Sequence, residues 1–212
     1  LVTGGTGFLG AHILYYLTKN NKENPIALKR KNSCLKKIKN IFLNYGDNNC
    51  VLFNKIQWLE IDLLDFYNIG KTLKNIDIIF HSAAIVSFNP KEKEKILETN
   101  YYATKNLINF SLIHNVSKFC FISSVATLSK GINQSLFDEE SWFSWSDKKS
   151  NYAISKYLAE MEVWKGFSEG LKGFIVNPSL IIGPGDNNGL FSSMINKLGN
   201  KTMFYPKGSS GF

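Results

Sequence analysis

The sequence predicts an α/β fold, a doubly wound parallel sheet covered by helices, on three observations. Short apolar runs alternate with longer amphipathic stretches along most of the chain, as a sheet buried on both faces requires. A glycine-rich turn, Thr3-Gly4-Gly5-Thr6-Gly7-Phe8-Leu9-Gly10, separates the first apolar run from the first amphipathic stretch. Past Pro178 the text becomes rich in glycine and proline, which marks a crossing into a second region.

Leu1 to Thr3 ends the first strand, and a helix over 8–19 follows with Leu9, Ile13 and Leu17 spaced to share one face. A second strand is expected over 26–29. Between Ser33 and Tyr45, Leu35, Ile38, Phe42 and Tyr45 recur at helical spacing with lysines between them, so a surface helix precedes the third strand, 56–61. Asp65 is placed to cap a short helix carrying Ile69 and Leu73. The fourth strand, 76–80, runs into His81-Ser82-Ala83-Ala84, where His81 reads as structural. A long helix through Ile96, Asn100, Leu107 and Ile108 leads to a fifth strand over 118–122. A loop over 128–150 contains Trp142, Phe143 and Trp145, aromatic residues that read as sealing a core edge. A helix over 151–167 and a strand over 174–176 complete the pattern. Residues 1–180 thus form one domain, and 181–212 begin a second region. With Leu1 at the end of a strand and Phe212 just past a glycine-rich turn, the chain reads as a fragment.

Composition excludes more than it identifies. The 212 residues, 44% hydrophobic and 20% charged, suit a globular domain. No run approaches the roughly 18 apolar residues that span a bilayer, so the expected setting is cytoplasmic, with no membrane partner. Cys34, Cys50 and Cys120 have neither paired spacing nor a histidine cluster, so no metal is expected. The net charge of +8 invites a nucleic-acid reading, but lysine is spread along the whole chain and no recognition motif accompanies it.

Chemistry enters at three places. In a strand-turn-helix setting the glycine-rich turn is a dinucleotide fingerprint of the Rossmann type: glycines permit close backbone approach to a pyrophosphate, which lies at a helix N-terminus. About twenty residues on, the position that selects between NAD and NADP reads Leu28-Lys29-Arg30-Lys31, without a carboxylate. Arg30 is the only arginine among 25 basic residues, and its planar fork favours a 2′-phosphate, hence NADP over NAD. Finally, Tyr152 and Lys156 stand four residues apart on one face of a helix, where the ammonium is expected to lower the phenol's pKa and make it a general acid/base. Ser124, at the carboxyl end of the fifth strand, is positioned to orient a substrate oxygen. Asn100 reads as fixing a helix kink or a water, or as an ordinary polar helix residue.

In order along the chain, TGGTGFLG, Asp62-Leu63, HSAA at 81–84, Asn100, FISS at 121–124, YAISK at 152–156 and NPSLIIGPG at 177–185 resemble the extended short-chain dehydrogenase/reductase superfamily. Within it the chain is similar to the NAD-dependent epimerase/dehydratase family, in its dihydroflavonol-reductase-like and 3β-hydroxysteroid-dehydrogenase-like branch. The resemblance implies that Gly4, Gly7 and Gly10, with Phe8 and Leu9 beside them, hold the pyrophosphate, and that Asp62 and Leu63 approach the adenine. It also implies that Ala83 and Ala84 line the cofactor, that Pro178 and Ser179 lie by the nicotinamide, and that Lys156 also holds the nicotinamide ribose. Asn177 stands where many relatives have arginine, and Leu128-Ser129 replaces their tyrosine-glycine. Both departures weaken a sugar-nucleotide assignment.

The expected activity is hydride transfer between a nicotinamide cofactor and a carbonyl or alcohol carbon of a small-molecule substrate, with Ser124, Tyr152 and Lys156 as the catalytic residues. An epimerase or dehydratase acting on a nucleotide sugar, and a nucleotide-sensing module without turnover, stand as rivals. A homodimer is compatible with the resemblance.

Overall fold

A computed structural model describes residues 1–20, 24–129, 138–145 and 149–183. Six parallel strands form one sheet: β1 (Val2–Thr3), β2 (Ile26–Lys29), β3 (Gln57–Glu60), β4 (Ile78–His81), β5 (Lys118–Ile122) and β6 (Gly173–Val176). Their spatial order is β3-β2-β1-β4-β5-β6, so the chain runs outward through β2 and β3 and then returns to the other side of β1. The fold is doubly wound as expected. Its direction reverses between β1 and β4, and ligands of such sheets bind outside the strand carboxyl ends at that point.

Each strand carries apolar side chains to both faces, and each face has its own helices. On one side, α1 (Phe8–Asn20) and α2 (Leu35–Asn44) cover Val2 and Ala27 with Ala11, Leu14, Tyr15, Ile38 and Phe42. On the other, α3 (Phe66–Leu73), α5 (Ala103–Ile113) and α6 (Asn151–Ser168) cover Leu28, Ile79, Phe119 and Phe121 with Ile69, Leu73, Leu107, Ala159 and Val163. The expected surface helix is α2: Ile38, Ile41 and Phe42 are buried while Lys36, Lys37 and Lys39 face outward. Asp65 caps α3 by accepting from Asn68 N at 3.1 Å, and Ser150 caps α6 by accepting from Ala153 N at 3.1 Å.

Two local expectations need correction. In α1 the fully buried stripe is Ala11, Leu14, Tyr15 and Thr18, whereas Leu9, Ile13 and Leu17 are only half-buried. The close approach of Gly10 to the glycine turn selects the stripe that continues from it, and small Ala11 lets the helix lie close to the sheet. The long helix before β5 is three segments: α4 (Lys93–Leu97), a π-helical turn over Glu98–Tyr102, and α5. The widened turn contains Asn100. The second region expected from 181 is described only as far as Gly183, and residues 184–212 lie outside the described residues.

Phe119 of β5 is fully buried in the larger core. Phe119→Ala should lower the unfolding free energy by about 3–5 kcal/mol with an unchanged denaturant slope, read from urea unfolding of the whole protein. A loss below about 1 kcal/mol would show that this core does not hold the sheet together.

Candidate functional site

The carboxyl ends of the strands and the loops leaving them enclose a cleft of about 360 Å³. Its floor is the glycine turn. Gly4 has φ of +69°, and a Cβ there would sit 2.6 Å from Ala83 N, so backbone meets backbone and only glycine fits. Gly7 is exposed at the cleft, at the N-terminus of α1, whose first turn contains no acidic residue. Gly10 serves differently: it is buried, and a Cβ on it would lie 2.2 Å from Gly4 O. It lets α1 pack onto the turn and thereby aims the helix N-terminus at the cleft. Phe8 and Leu9, in the first turn of α1, are half-buried beside it.

The walls come from three further strand ends. Arg30 follows β2, Asp62 and Leu63 follow β3, and Ser82, Ala83, Ala84 and Ile85 follow β4. Parallel register sets Lys29 opposite Glu60, and the two form a 2.5 Å ion pair. A carboxylate is therefore present at this rim after all, supplied by the neighbouring strand and already engaged by Lys29. Arg30 is exposed in a turn closed by Ser33 N donating to Arg30 O at 2.9 Å. Asp62 spends one carboxylate oxygen on Leu64 N, at 2.9 Å.

These residues fit a dinucleotide. They combine a turn that excludes side chains, an unopposed helix N-terminus for an anion, and a guanidinium at the far rim.

Beyond β5, Ser124, Tyr152 and Lys156 are brought together. Ser124 caps a short 3₁₀ turn by accepting from Ala126 N at 3.2 Å, and its hydroxyl is close enough to the Tyr152 phenol to favour the ionised form of that phenol. Lys156 is fully buried one turn below, with Nζ donating to Ile122 O at 2.7 Å and lying 4.1 Å from the centre of the Phe121 ring. Burial pulls its ammonium down to about 7, against a smaller opposing pull from Glu160. The lowering of the Tyr152 phenol by Lys156 expected from spacing is not what the geometry gives. Burial raises the phenol above its ordinary value, and the Ser124 hydroxyl works in the other direction. Pro178 and Ser179 follow β6, with Pro178 O accepting from Val125 N at 3.1 Å beside Ser124. Asn177 Nδ2 donates to Glu160 at 2.6 Å and to Thr127 Oγ1 at 3.0 Å, so a neutral amide holds the buried carboxylate. The aromatic loop seals an edge: Phe143 stacks on Tyr157 at 4.0 Å, Trp145 packs edge-on to both, and Trp142 is exposed, as is Phe88.

Sequence reasoning missed the group beneath the cleft. His81 is fully buried between Thr3 Oγ1, at 2.6 Å from Nδ1, and Thr104 Oγ1, at 2.8 Å from Nε2. Burial, and then the charge of Lys156, depress its pKa to about 3. Among the described residues no cluster of potential metal ligands occurs, and no helix is long and apolar enough to cross a membrane.

A model of the NAD dependent epimerase/dehydratase family matches residues 1–210. The chain belongs to that family. It is 31% identical over 187 residues to a putative dihydroflavonol 4-reductase of Synechocystis sp., covering 87% of this chain and 50% of that protein. It is 26% identical over 198 residues to a UDP-N-acetyl-alpha-D-glucosaminuronate decarboxylase of Bacillus cytotoxicus, covering 92% of this chain and 58% of that one. The crystal structure of UDP-glucuronic acid 4-epimerase from Bacillus cereus in complex with NAD shares the fold, with a TM-score of 0.75 at 20% identity over 93% of this chain and 61% of that one. The chain spans about half the length of the curated relatives it matches. The extended short-chain dehydrogenase/reductase resemblance and the Rossmann architecture are thus established together.

The two buried bases give stability a defined pH dependence. Below the ordinary histidine value of 6.5 the unfolded chain takes up a proton at His81, whereas the folded protein resists until about 3. Between about 7 and 10.5 the unfolded chain holds a proton that folded Lys156 gives up. In both windows the unfolded state binds more protons, so stability rises with pH, at a limiting slope of about 1.4 kcal/mol per unit per group. Urea midpoints should increase across both windows, His81→Gln flattening the acid one and Lys156→Met the alkaline one. Unchanged slopes in these variants would refute the assignment.

Proposed function

We propose that the chain is the cofactor-binding and catalytic portion of an oxidoreductase that moves a hydride between a nicotinamide cofactor, preferentially NADP, and a carbonyl or alcohol carbon of a small-molecule substrate. The observation that carries this reading is Ser124, at the carboxyl end of β5, acting on the Tyr152 phenol at the start of α6, with buried Lys156 one helical turn further on. A pure nucleotide binder has no use for that arrangement. When bound, the cofactor supplies or accepts the hydride.

The glycine turn with Gly4 and Gly7 cradles the pyrophosphate, Asp62 and Leu63 border the adenine, Ala83 and Ala84 line the cofactor beside the glycine turn, and Pro178 and Ser179 flank the nicotinamide end. Ser124 donates to the substrate oxygen and fixes its distance from Tyr152. Burial keeps the Tyr152 phenol neutral at physiological pH, which suits it to give a proton to a carbonyl oxygen, the direction of reduction. Lys156, titrating near 7, supplies in its protonated form positive charge beside the tyrosinate that remains. Support for NADP comes from the rim: Glu60 neutralises Lys29, and Arg30 is left exposed with its fork available to a 2′-phosphate.

Relatives named as UDP-N-acetyl-alpha-D-glucosaminuronate decarboxylase and dTDP-D-glucose 4,6-dehydratase favour a second reading, in which the same three residues act on a nucleotide sugar and regenerate the cofactor. Mass balance separates the two. Net consumption of NADPH marks a reductase, and an oxidised cofactor that copurifies and is not consumed marks the second reading.

Tyr152→Phe in the whole protein should lower kcat by about 100-fold or more while cofactor affinity stays within about threefold. Near-normal turnover with intact binding would end the proposal for Tyr152. By calorimetry NADPH should bind at least about tenfold more tightly than NADH, and Arg30→Ala should abolish the difference. Tighter binding of NADH would reverse the cofactor assignment.

A further inference from the structure

Beneath the cleft, a continuous buried chain of hydrogen bonds joins the strand end under the glycine turn to the helix that carries Tyr152. Thr3 Oγ1 accepts from Ala83 N at 3.3 Å and meets His81 Nδ1 at 2.6 Å. His81 Nε2 meets Thr104 Oγ1 at 2.8 Å, and Thr104 donates its one hydroxyl proton to Asn100 O at 2.6 Å. The proton count therefore assigns the histidine tautomer. Nε2 carries the hydrogen and gives it to Thr104, while Nδ1 accepts from the Thr3 hydroxyl.

Asn100 then branches. Its Oδ1 accepts from Ile85 N at 2.7 Å, and its Nδ2 donates to Ile85 O at 3.0 Å and to Ser155 Oγ at 2.9 Å. Ser155 in turn donates to Tyr152 O at 2.7 Å. The π-helical turn over Glu98–Tyr102 is what puts the Asn100 side chain against Ile85 and α6 while its carbonyl receives Thr104. Beside this chain the Phe121 ring touches both the His81 ring, with centroids 5.5 Å apart, and the Lys156 ammonium, and so holds the two apart by packing alone.

We propose that His81, Thr104 and Asn100 are positioning residues that transmit occupancy of the adenosine end of the cleft to the first turn of α6, and so to Tyr152 and Lys156. None of the three touches the reacting atoms in this arrangement. Every proton of His81, Thr104 Oγ1 and Asn100 Nδ2 has a partner, and all three residues are at most 1% exposed. A shift of the wall formed by residues 83–85 cannot be absorbed by water or by a spare donor, so it passes along the chain. The significance of this for turnover rests on the catalytic role proposed above for Tyr152, but the coupling itself is measurable without turnover.

The probe is ADP, which carries the adenosine and pyrophosphate but no nicotinamide half, so its effect on α6 must travel through the protein. In the whole wild-type protein, ADP should slow amide hydrogen exchange of Ile154, Ser155 and Lys156 by at least about fivefold. Thr104→Val cuts the chain midway, and Ser155→Ala removes one oxygen at the α6 end. Each variant should bind ADP within about threefold of wild type, by calorimetry, and lose that protection. ADP binding without protection in wild type overturns the relay and leaves the nucleotide site standing. Protection that survives in either folded variant overturns the assigned route. Failure of ADP to bind refutes the nucleotide reading itself and the relay with it. Should a variant fail to fold, the other variant and the wild-type measurement still decide.

Discussion

The contact on which the rest of the site depends is the approach of Gly4 to the backbone of Ala83. At φ of +69°, with no room for a Cβ, the chain leaves β1 and lies directly on the segment leaving β4. A side chain there would drive the two strand ends apart at the point where the sheet reverses its winding. Because the contact holds, α1 starts close to the sheet, Gly10 can rest on Gly4 O, and the helix N-terminus faces the cleft. The same contact places residues 82–85 as a wall, and Asn100 clasps that wall through both backbone groups of Ile85. Backbone geometry at one glycine thus sets the distance between the cofactor cleft and the helix carrying Tyr152.

Burial, more than the pairing of charges, sets the electrostatics. Among the described residues no carboxylate lies within ion-pairing distance of Lys156, and a carbonyl and an aromatic face take that place. An ammonium in such surroundings gives up its proton readily, and a buried phenol beside it holds on to its own. The ordinary values of lysine and tyrosine nearly coincide, and burial drives the two apart, so the proton is held on the phenol while the lysine gives up its own first. His81, which must stay neutral to make both of its hydrogen bonds, is held so by burial and by the same lysine.

Much of this was legible in the sequence, for reasons that differ by element. The parallel sheet showed itself because strands buried on both faces must be largely apolar, and within Ile76 to Phe80 and Lys118 to Ile122 the runs Ile78 to Phe80 and Phe119 to Ile122 read that way. Asp65 could be placed as a cap because the cap is a local interaction. Ser124, Tyr152 and Lys156 emerged from order along the chain, and the structure brings all three together. The α1 face was misjudged because three spaced apolar residues outweighed small Ala11 and polar Thr18, although close helix-sheet packing favours small residues. Glu60 could not be seen beside Lys29, since strand register joins residues 31 apart. The His81 chain was invisible for a related reason: its links span 78, 23 and 55 residues, and threonine and serine hydroxyls leave no periodic signal.

The charge of the chain shows the difference between composition and placement. Lysines supply nearly all of the +8 excess, and those on α2 are spent on a solvated helix face. A uniform basic surface would attract any polyanion weakly and discriminate among none. At the cofactor rim the pattern is different. Lys29 is withdrawn into an ion pair by Glu60, and the one arginine of the sequence follows it immediately. A lysine in place of Arg30 would preserve net charge but lose the planar fork that recognises two phosphate oxygens at once. The information at this rim therefore lies in the shape of a single guanidinium and in the removal of its neighbour's charge, neither of which the net charge reports.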